Sequence, residues 1–548
     1  MSDKKDLCLL ALPIEVIFHI LDELDEFTIT FYVRNVCTQL KTITDTYYEY
    51  QSFTELAIEH RNLDEEKMQF LAQSLKDNTL VKTLILAWNR FYGVGIQYLT
   101  DAIKINRTLT TLDFRSNAIG NHEAQSIGNI LLVNTTLMTL HLHTNEMSNR
   151  GIHYLANALE HNTTLTTLSL YNNINVETSN FIRELCVLQK YTKINIQSST
   201  YLANVLQNNT TITMLYLCNN KLGAQETKHL ADGLKTNRTV QELHIVDNEI
   251  NNLGTKYLAD ALENNSTLTI LDLENNSIRD EGIQYLAKIF KNNTTLTTLD
   301  LGNNTIGFNG IKYLTDSLQE DTALSILNLY NNYIGSTGAR YLAKILRINK
   351  VKLTVLHLGS NHIGIEGISD LAIAIGNNTT LTSLNLERNQ LLSEGAKYLA
   401  DALKTNTTLS TLNLEANCIA SDGVQYLTNT LRNNQSIITL NLARNVIGDQ
   451  GTQYVANLLE NNSTLVTLHL GENNIGDAGI ECLAQALKIN NTLTTLTLDH
   501  NRIQFQGAFD FANALQNNKT LKSLDLDYKE MVAEEAQYFA RTSRKIKV

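Results

Sequence analysis

The stretch Leu268–Asn293 reads LTILDLENNSIRDEGIQYLAKIFKNN, and its pattern decides the fold. In its first half, Leu271–Leu273 alternates apolar and polar side chains, which predicts a short strand with one apolar face. In its second half, the apolar residues between Ile283 and Phe290 recur at helical spacing, which predicts a helix with one apolar stripe. Neither apolar face is covered within the unit, so we expect the unit to be stable only when neighbours stack against it.

The same strand-and-helix unit recurs along most of the chain. An asparagine follows nearly every strand, with Arg61 in its place in the first unit and Lys529 in the last, and Asn304 follows Asn276 by 28 residues, a spacing that holds almost throughout. The full set of these asparagines is Asn89, Asn117, Asn145, Asn173, Asn220, Asn248, Asn276, Asn304, Asn332, Asn361, Asn389, Asn417, Asn445, Asn473 and Asn501. Repetition at this period predicts an α/β solenoid with a continuous core. We expect the asparagines to be structural, because a buried amide can bond the backbone of adjoining turns.

The repeat also has the detailed pattern of a known family. Over roughly residues 53–540, the units read L-x-x-L-x-L-x-x-N, followed by Ile or Leu two residues on and Gly six residues on. This pattern resembles the ribonuclease-inhibitor subclass of leucine-rich repeats. The resemblance implies a curved solenoid with parallel strands on its concave face and helices on its convex face.

We divide the chain into three segments. Residues 1–50 lack the repeat, residues 51–540 are predicted to form a solenoid of about 17–18 units, and residues 541–548 are a basic tail. The register is irregular at residues 174–219, because Asn220 follows Asn173 by 47 residues. We predict that this interval contains one extra strand, Tyr191–Ile196, within two shortened units.

Composition and motifs exclude several classes of protein. A net charge of −12 disfavours nucleic acid as the main partner, and no apolar stretch approaches the length of a membrane span. The six cysteines are scattered without disulfide or metal spacing, which favours a reducing compartment. We find no phosphate-binding loop, zinc motif or catalytic triad, so we predict a non-enzymatic protein without a cofactor. The predicted location is the cytoplasm, with the nucleus as the alternative.

The N-terminal segment resembles an F-box. Pro13 is suited to the first turn of a helix, and apolar residues then recur on one helical face. The matching residues are Leu12, Pro13, Glu15, Val16, Ile20, Leu21, Leu24, Val36, Cys37 and Leu40. The resemblance implies that Leu12, Pro13, Glu15, Val16, Ile20, Leu21 and Leu24 bind the Skp adaptor subunit of a cullin–RING ubiquitin ligase. The segment departs from the family where a central Asp-Pro is expected, because Asp25-Glu26-Phe27 stands there. The alternative is a plain helical cap over the open core of the first repeat.

Side chains that alternate with the buried leucines should lie on the face of the sheet opposite the helices, which we call the strand face. This face is polar and somewhat acidic, with tyrosines at intervals. Because tyrosine is a common anchor in interfaces, we predict that the strand face binds a protein target. The predicted partner-binding residues are Arg115, His141, His143, Tyr171, Tyr216, His244, Asp272, Glu274, Tyr330, His357, Glu387 and Glu415. We predict no metal site, because His141 and His143 lack a Cys or a second His pair.

These features favour a substrate receptor of a cullin–RING ubiquitin ligase, with no chemistry of its own. One alternative is a scaffold or ligand sensor similar to the repeats of NOD-like receptors, which the lack of a nucleotide-binding motif disfavours. Another is a regulator resembling the Ran GTPase-activating protein, whose family carries an acidic C-terminal stretch, whereas Arg541–Lys547 is basic here. Ribonuclease inhibition is disfavoured because that protein is rich in cysteine.

Overall fold

The computed structural model describes residues 54–76, 78–91, 94–170, 196–318, 322–348, 351–515 and 518–526. The chain divides into two compact units, unit 1 at Met1–Glu249 and unit 2 at Ile250–Val548. The predicted residues of the F-box-like segment, Tyr171 and the basic tail lie outside the described residues. Within the described residues, no helix is long and apolar enough to cross a membrane.

Unit 1 alternates short strands with helices. Its described strands pair in parallel with their neighbours, each in register with the next. The elements in chain order are β1 Glu55–Ala57, α1 Glu65–Lys76, β2 Thr83–Ile85, α2 Gly95–Ile105, β3 Thr111–Asp113, α3 Asn121–Leu131, β4 Thr139–His141, α4 Asn149–Leu159, β5 Thr167–Ser169, α5 Ile196–Asn208, β6 Met214–Tyr216, α6 Ala224–Leu234 and β7 Glu242–His244.

Unit 2 repeats the same alternation, and its strands also pair in parallel and in register. Its first elements are α7 Asn251–Leu262, β8 Ile270–Asp272, α8 Asp280–Leu286 with a 3-10 turn at Ala287–Lys291, β9 Thr298–Asp300, α9 Phe308–Ser317, β10 Ile326–Asn328, α10 Gly335–Ile348 and β11 Val355–His357. The remaining elements are α11 Gly364–Asn377, β12 Ser383–Asn385, α12 Leu392–Leu403, β13 Thr411–Asn413, α13 Ser421–Leu431, β14 Thr439–Asn441, α14 Gly448–Leu459, β15 Thr467–His469, α15 Asp477–Leu487, β16 Thr495–Thr497, α16 Phe505–Leu515 and β17 Ser523–Asp525.

The core of each unit lies between its sheet and its helices. In the repeat that begins at β8, Leu271 and Leu273 of the strand segment and Ile283 of the helix are all fully buried. The apolar stripes seen in the sequence therefore meet, and each repeat buries its faces against the next one. The predicted α/β repeat solenoid is confirmed in both units.

The asparagines that follow most strands join one repeat to the next. The Oδ1 atom of Asn445 accepts the backbone N–H of Ile419 at 2.9 Å, and its Nδ2 atom donates to the carbonyl of Leu414 at 3.0 Å. The residue before the equivalent asparagine, Ala416, has a φ of 55°, so the chain turns sharply there. A buried side-chain amide thus supplies the donor and the acceptor that this turn would otherwise leave unpaired. The structural role predicted for these asparagines is confirmed.

A second set of asparagines closes the turn between most of the helices and the strands that follow them. The Oδ1 atom of Asn406 accepts the N–H groups of Thr408 at 3.1 Å and Leu409 at 2.8 Å. Its Nδ2 atom donates to the carbonyl of Ile375 in the preceding repeat at 2.8 Å. The Asn-Thr-Thr segments of the sequence therefore end the helices and tie neighbouring repeats together.

The extra strand predicted at Tyr191–Ile196 lies, except for its last residue, outside the described residues. Among the described strands, β5 pairs directly with β6, with Thr167 opposite Met214. Ile196 is the first residue of α5, and Ser199 is buried within that helix.

Candidate functional site

The strand face of each unit is formed by side chains that alternate with buried leucines. In β13, Leu412 is fully buried, while Thr411 and Asn413 on either side of it are partly exposed. Because neighbouring strands pair in register, equivalent side chains of successive repeats lie side by side. Each predicted partner-binding residue that the structure describes lies on one of these strands or in the turn after it.

Arg115 follows β3 in unit 1 and contacts two carboxylates. Its Nη2 atom lies 3.0 Å from Oε1 of Glu59, and its Nε atom lies 3.4 Å from Oδ2 of Asp113. Asp113 is largely buried, whereas Glu59 is partly exposed. The guanidinium is therefore held in place, with its charge compensated on the strand face.

His141 and His143 lie on the same face of unit 1. Their ring centroids are 6.3 Å apart in an edge-to-face arrangement. Burial, together with the neighbouring His141 and Arg115, lowers the pKa of His143 to about 4. Burial also lowers the pKa of His141, although the Asp113 carboxylate opposes that shift. Both rings are therefore neutral at physiological pH and present hydrogen-bonding surface without charge.

Tyr216 and His244 form a stacked pair on β6 and β7. Their ring centroids are 4.5 Å apart and the planes differ by 8°. Burial raises the pKa of Tyr216, and the charges of Glu242 and Cys218 act in the same direction. The hydroxyl therefore stays protonated and can donate to a ligand.

Three carboxylates meet on the strand face of unit 2. One oxygen from each of Asp272, Glu274 and Asp300 lies within 4.8 Å of the others. Burial raises the pKa of Asp300, and the carboxylate of Asp272 adds to this, whereas a hydrogen bond from Asn328 opposes it. Three carboxylates suit a hard cation, but side-chain amides already donate hydrogen bonds to two of them. Asn328 donates to Asp300 at 2.8 Å, and Asn303 donates to Glu274 at 2.7 Å.

The ring of Tyr330 packs against Gly359. A Cβ atom on Gly359 would lie 2.8 Å from Cδ2 of Tyr330 and 2.7 Å from Cγ of Glu387. These two side chains therefore occupy the space that a larger residue would fill. In the next strand, burial lowers the pKa of His357, against the opposing charges of Asp300 and Glu387. An aromatic ring, a neutral imidazole and a carboxylate thus lie together on the strand face.

Glu387 and Glu415 are each held by an amide of the following strand. Nδ2 of Asn413 donates to Glu387 at 2.9 Å, and Nδ2 of Asn441 donates to Glu415 at 3.1 Å. Arg444 lies 3.6 Å from Glu415, and it approaches Glu472 more closely, at 2.7 Å. The carboxylates are fixed in orientation and mostly paired with neutral donors.

The structure brings the predicted residues together in separate groups. In unit 1 these are Arg115 with His141 and His143, and Tyr216 with His244. In unit 2 these are Asp272 with Glu274, and Tyr330 with His357 and Glu387, followed by Glu415. Tyr171 and the predicted adaptor-binding residues lie outside the described residues. Asp300 was not among the predicted site residues, although its place in the same column as Asp272 could have identified it.

Trp88 is a surface residue that sequence reasoning missed. It is 51% exposed, and its ring stacks on His60 with centroids 5.4 Å apart. It occupies the turn position directly before Asn89, where its φ is 60°. The signal was available, because Trp88 is the single tryptophan of the chain and lies at a turn beside the strand face.

Comparison with known proteins supports the repeat assignment. The family model described as "Leucine Rich repeat" matches nine segments, at residues 106–122, 236–259, 264–287, 292–314, 349–372, 377–400, 405–427, 433–456 and 461–484. Solved structures that match include leiomodin-1 actin-binding site 2, with 23% identity over 27% of this chain and 86% of that chain, at a TM-score of 0.25. None of the curated proteins compared matches significantly.

Proposed function

Because this chain is a leucine-rich repeat protein, we propose that it is a non-enzymatic adaptor, and that it serves as the substrate receptor of a Skp–cullin–F-box ubiquitin ligase. Its strand face would hold the target protein. Its N-terminal segment would bind the Skp adaptor. The chain would perform no chemistry and would act by raising the concentration of the target beside the ligase. Such a receptor would work in the cytoplasm or the nucleus.

The observation that carries the proposal is the arrangement of polar and aromatic groups on the strand face. Tyr330 and Glu387 meet over Gly359, and Tyr216 stacks on His244. Rigid aromatic groups beside oriented polar groups are the common anchors of protein interfaces. Repetition of strands at regular spacing offers a protein partner many such contacts, whereas a small molecule would use few of them.

The ligase assignment rests on the sequence of the N-terminal segment. Leu12, Ile20, Leu21 and Leu24 place a large aliphatic surface on few residues. A small helical segment cannot easily bury all of this surface in itself, so part of it should stay exposed, and exposed apolar patches usually mark partner sites. Pro13 would set the entry of the chain into the helix.

A titration with purified Skp adaptor tests the proposal. Leu12→Ala combined with Pro13→Ala should abolish adaptor binding, while circular dichroism shows that the repeats remain folded. Tyr330→Ala is the matched control, because it alters the strand face and should leave adaptor binding unchanged. The ligase assignment fails if wild-type protein does not bind at tens of micromolar, which corresponds to binding weaker than roughly −6 kcal/mol.

A further inference from the structure

Helices α8, α9 and α10 carry an excess of positive charge on the side of unit 2 opposite its strand face. Counting the 3-10 turn at Ala287–Lys291, these helices hold six basic and three acidic residues. The basic residues are Lys288, Lys291, Lys312, Arg340, Lys344 and Arg347. We call the exposed surface that they form, together with Tyr285, Tyr313 and Tyr341, the α8–α10 patch.

The three acidic residues of these helices offset half of this positive charge. Asp280 accepts the N–H of Gly307 at 2.6 Å, and Glu281 accepts the hydroxyl of Tyr285 at 3.3 Å, so both are engaged near the start of α8. Asp316 on α9 is the third acidic residue. Arg340 pairs with Asp370 of α11 at 2.9 Å.

In the part of the chain that the structure describes, the other five cations of the patch differ from Arg340. Among the residues that the structure describes, no carboxylate forms a salt bridge with Lys288, Lys291, Lys312, Lys344 or Arg347. All five side chains are exposed. Mutual repulsion between them disfavours the free surface slightly and would be relieved by a bound anion.

Three tyrosines lie between these cations. Tyr285, Tyr313 and Tyr341 occupy the same position of successive repeats. The ammonium group of Lys288 lies 5.3 Å from the ring centre of Tyr285, and that of Lys344 lies 4.8 Å from the ring centre of Tyr341. Tyr313, between them, is 38% exposed. The rings hold ammonium groups near the surface and supply the aromatic contacts typical of protein interfaces.

We propose that the α8–α10 patch binds an acidic segment of a partner protein. Aspartate and glutamate side chains of that segment pair with Lys288, Lys291, Lys344 and Arg347, while its backbone lies against the tyrosines. The positive surface is short, because α11 carries Glu366 and Asp370 and no basic residue, while on α7 Asp260 balances Lys256. A peptide fits three helices, whereas nucleic acid requires a longer basic track and is disfavoured by the net charge of −12.

Fluorescence anisotropy with the full chain and a labelled peptide of about a dozen residues, rich in glutamate, tests the proposal at low ionic strength. Lys291→Gln combined with Lys344→Gln should weaken binding by about tenfold or more. Lys404→Gln is the matched control. Lys404 occupies the same repeat position as Lys291, but it pairs with Asp401 at 2.6 Å, and its loss should change the affinity less than about twofold.

Two further measurements decide whether the α8–α10 patch binds an acidic peptide or a nucleic acid. Raising the salt concentration should weaken peptide binding in the wild type and much less in the double variant. The proposal is overturned if the peptide does not bind, or if the double variant binds it as well as the wild type. It is also overturned if a single-stranded oligonucleotide of equal charge binds more tightly than the peptide, since the patch would then be a nucleic-acid surface.

Discussion

The Oδ1 atom of Asn445 accepts the backbone N–H of Asn417 at 3.0 Å, although 28 residues separate these two asparagines in the chain. The same bond joins Asn389 to Asn417 at 3.0 Å. A side chain of one repeat thereby fixes the turn of the repeat before it. Each turn depends on its neighbour, so local changes should be felt in adjacent repeats before they are felt elsewhere.

Replacing Asn445 with alanine should therefore destabilise unit 2. The backbone N–H groups of Asn417 and Ile419 would lose their acceptor inside the protein, at a cost of about 2–5 kcal/mol in the free energy of unfolding. Denaturation in urea measures this loss. Asn433→Ala, at an exposed position, is the control and should cost less than about 0.5 kcal/mol. Equal effects of the two substitutions would contradict a stabilising role for the asparagine turns.

Leu412→Ala should also destabilise the protein, and its effect should be local. Leu412 is fully buried, and its loss should cost about 2–5 kcal/mol. Hydrogen exchange should accelerate mainly around residues 385–445, because contacts in a repeat array are between near neighbours. Ile438→Ala, at an exposed position in the next repeat, should leave the exchange rates nearly unchanged. Uniform acceleration from end to end would instead indicate a more cooperative array.

Protonation of His143 should lower stability in mild acid. Its pKa is about 4 in the folded protein, below the usual 6.5, so the unfolded chain binds the proton more readily. Stability is therefore complete above about pH 6.5 and falls as the pH decreases towards 4, by up to about 3 kcal/mol. His143→Gln should reduce the difference between the urea midpoints measured at pH 7 and pH 5. An unchanged difference would mean that other groups determine the acid sensitivity.

Backbone strain at one repeat position can be tested by opposite substitutions at Gly364 and Leu392. They occupy the same repeat position, with φ of 62° and 57°, and each donates its N–H to an asparagine carbonyl at 3.0 Å. No atom lies within 4 Å of a Cβ placed on Gly364, so Gly364→Leu should cost only the backbone strain, about 1–2 kcal/mol. Leu392→Gly should relieve that strain, but glycine gains more entropy on unfolding, so the net stabilisation should be about 1 kcal/mol or less. Thermal denaturation of both variants checks these opposite signs.

The repeat fold could be predicted from the sequence because the same pattern of apolar residues and asparagine recurs in nearly every repeat. The spacing within the repeat predicts which residues are buried, and the structure confirms this for Leu271, Leu273 and Asn276. The strand expected at Tyr191–Ile196 rests on one short alternation without that support from repetition, and its one described residue, Ile196, is the first residue of α5.

The grouping of side chains on the strand face was harder to predict. The column of strand positions places Asp272 beside Asp300, and this could have been read from the sequence. The position of Tyr330 over Gly359 depends on the rotamer that the ring adopts and on space left by a residue in the next repeat. The depressed pKa of His143 likewise depends on burial, which spacing alone does not give.

The asparagines that close the helix-to-strand turns also determine whether N-linked glycans can attach to the repeats. Besides the partly exposed Asn518, twelve of them begin an Asn-x-Ser/Thr triplet, the acceptor signal for N-linked glycans: Asn106, Asn134, Asn162, Asn209, Asn237, Asn265, Asn293, Asn378, Asn406, Asn434, Asn462 and Asn490. All twelve are buried, and Nδ2 of Asn378, for example, donates to the carbonyl of Leu346 at 2.9 Å. A glycan on that nitrogen would have no room in the closed turn. The folded repeats therefore exclude glycosylation at these positions, and a sugar added to the unfolded chain would prevent the repeat from closing.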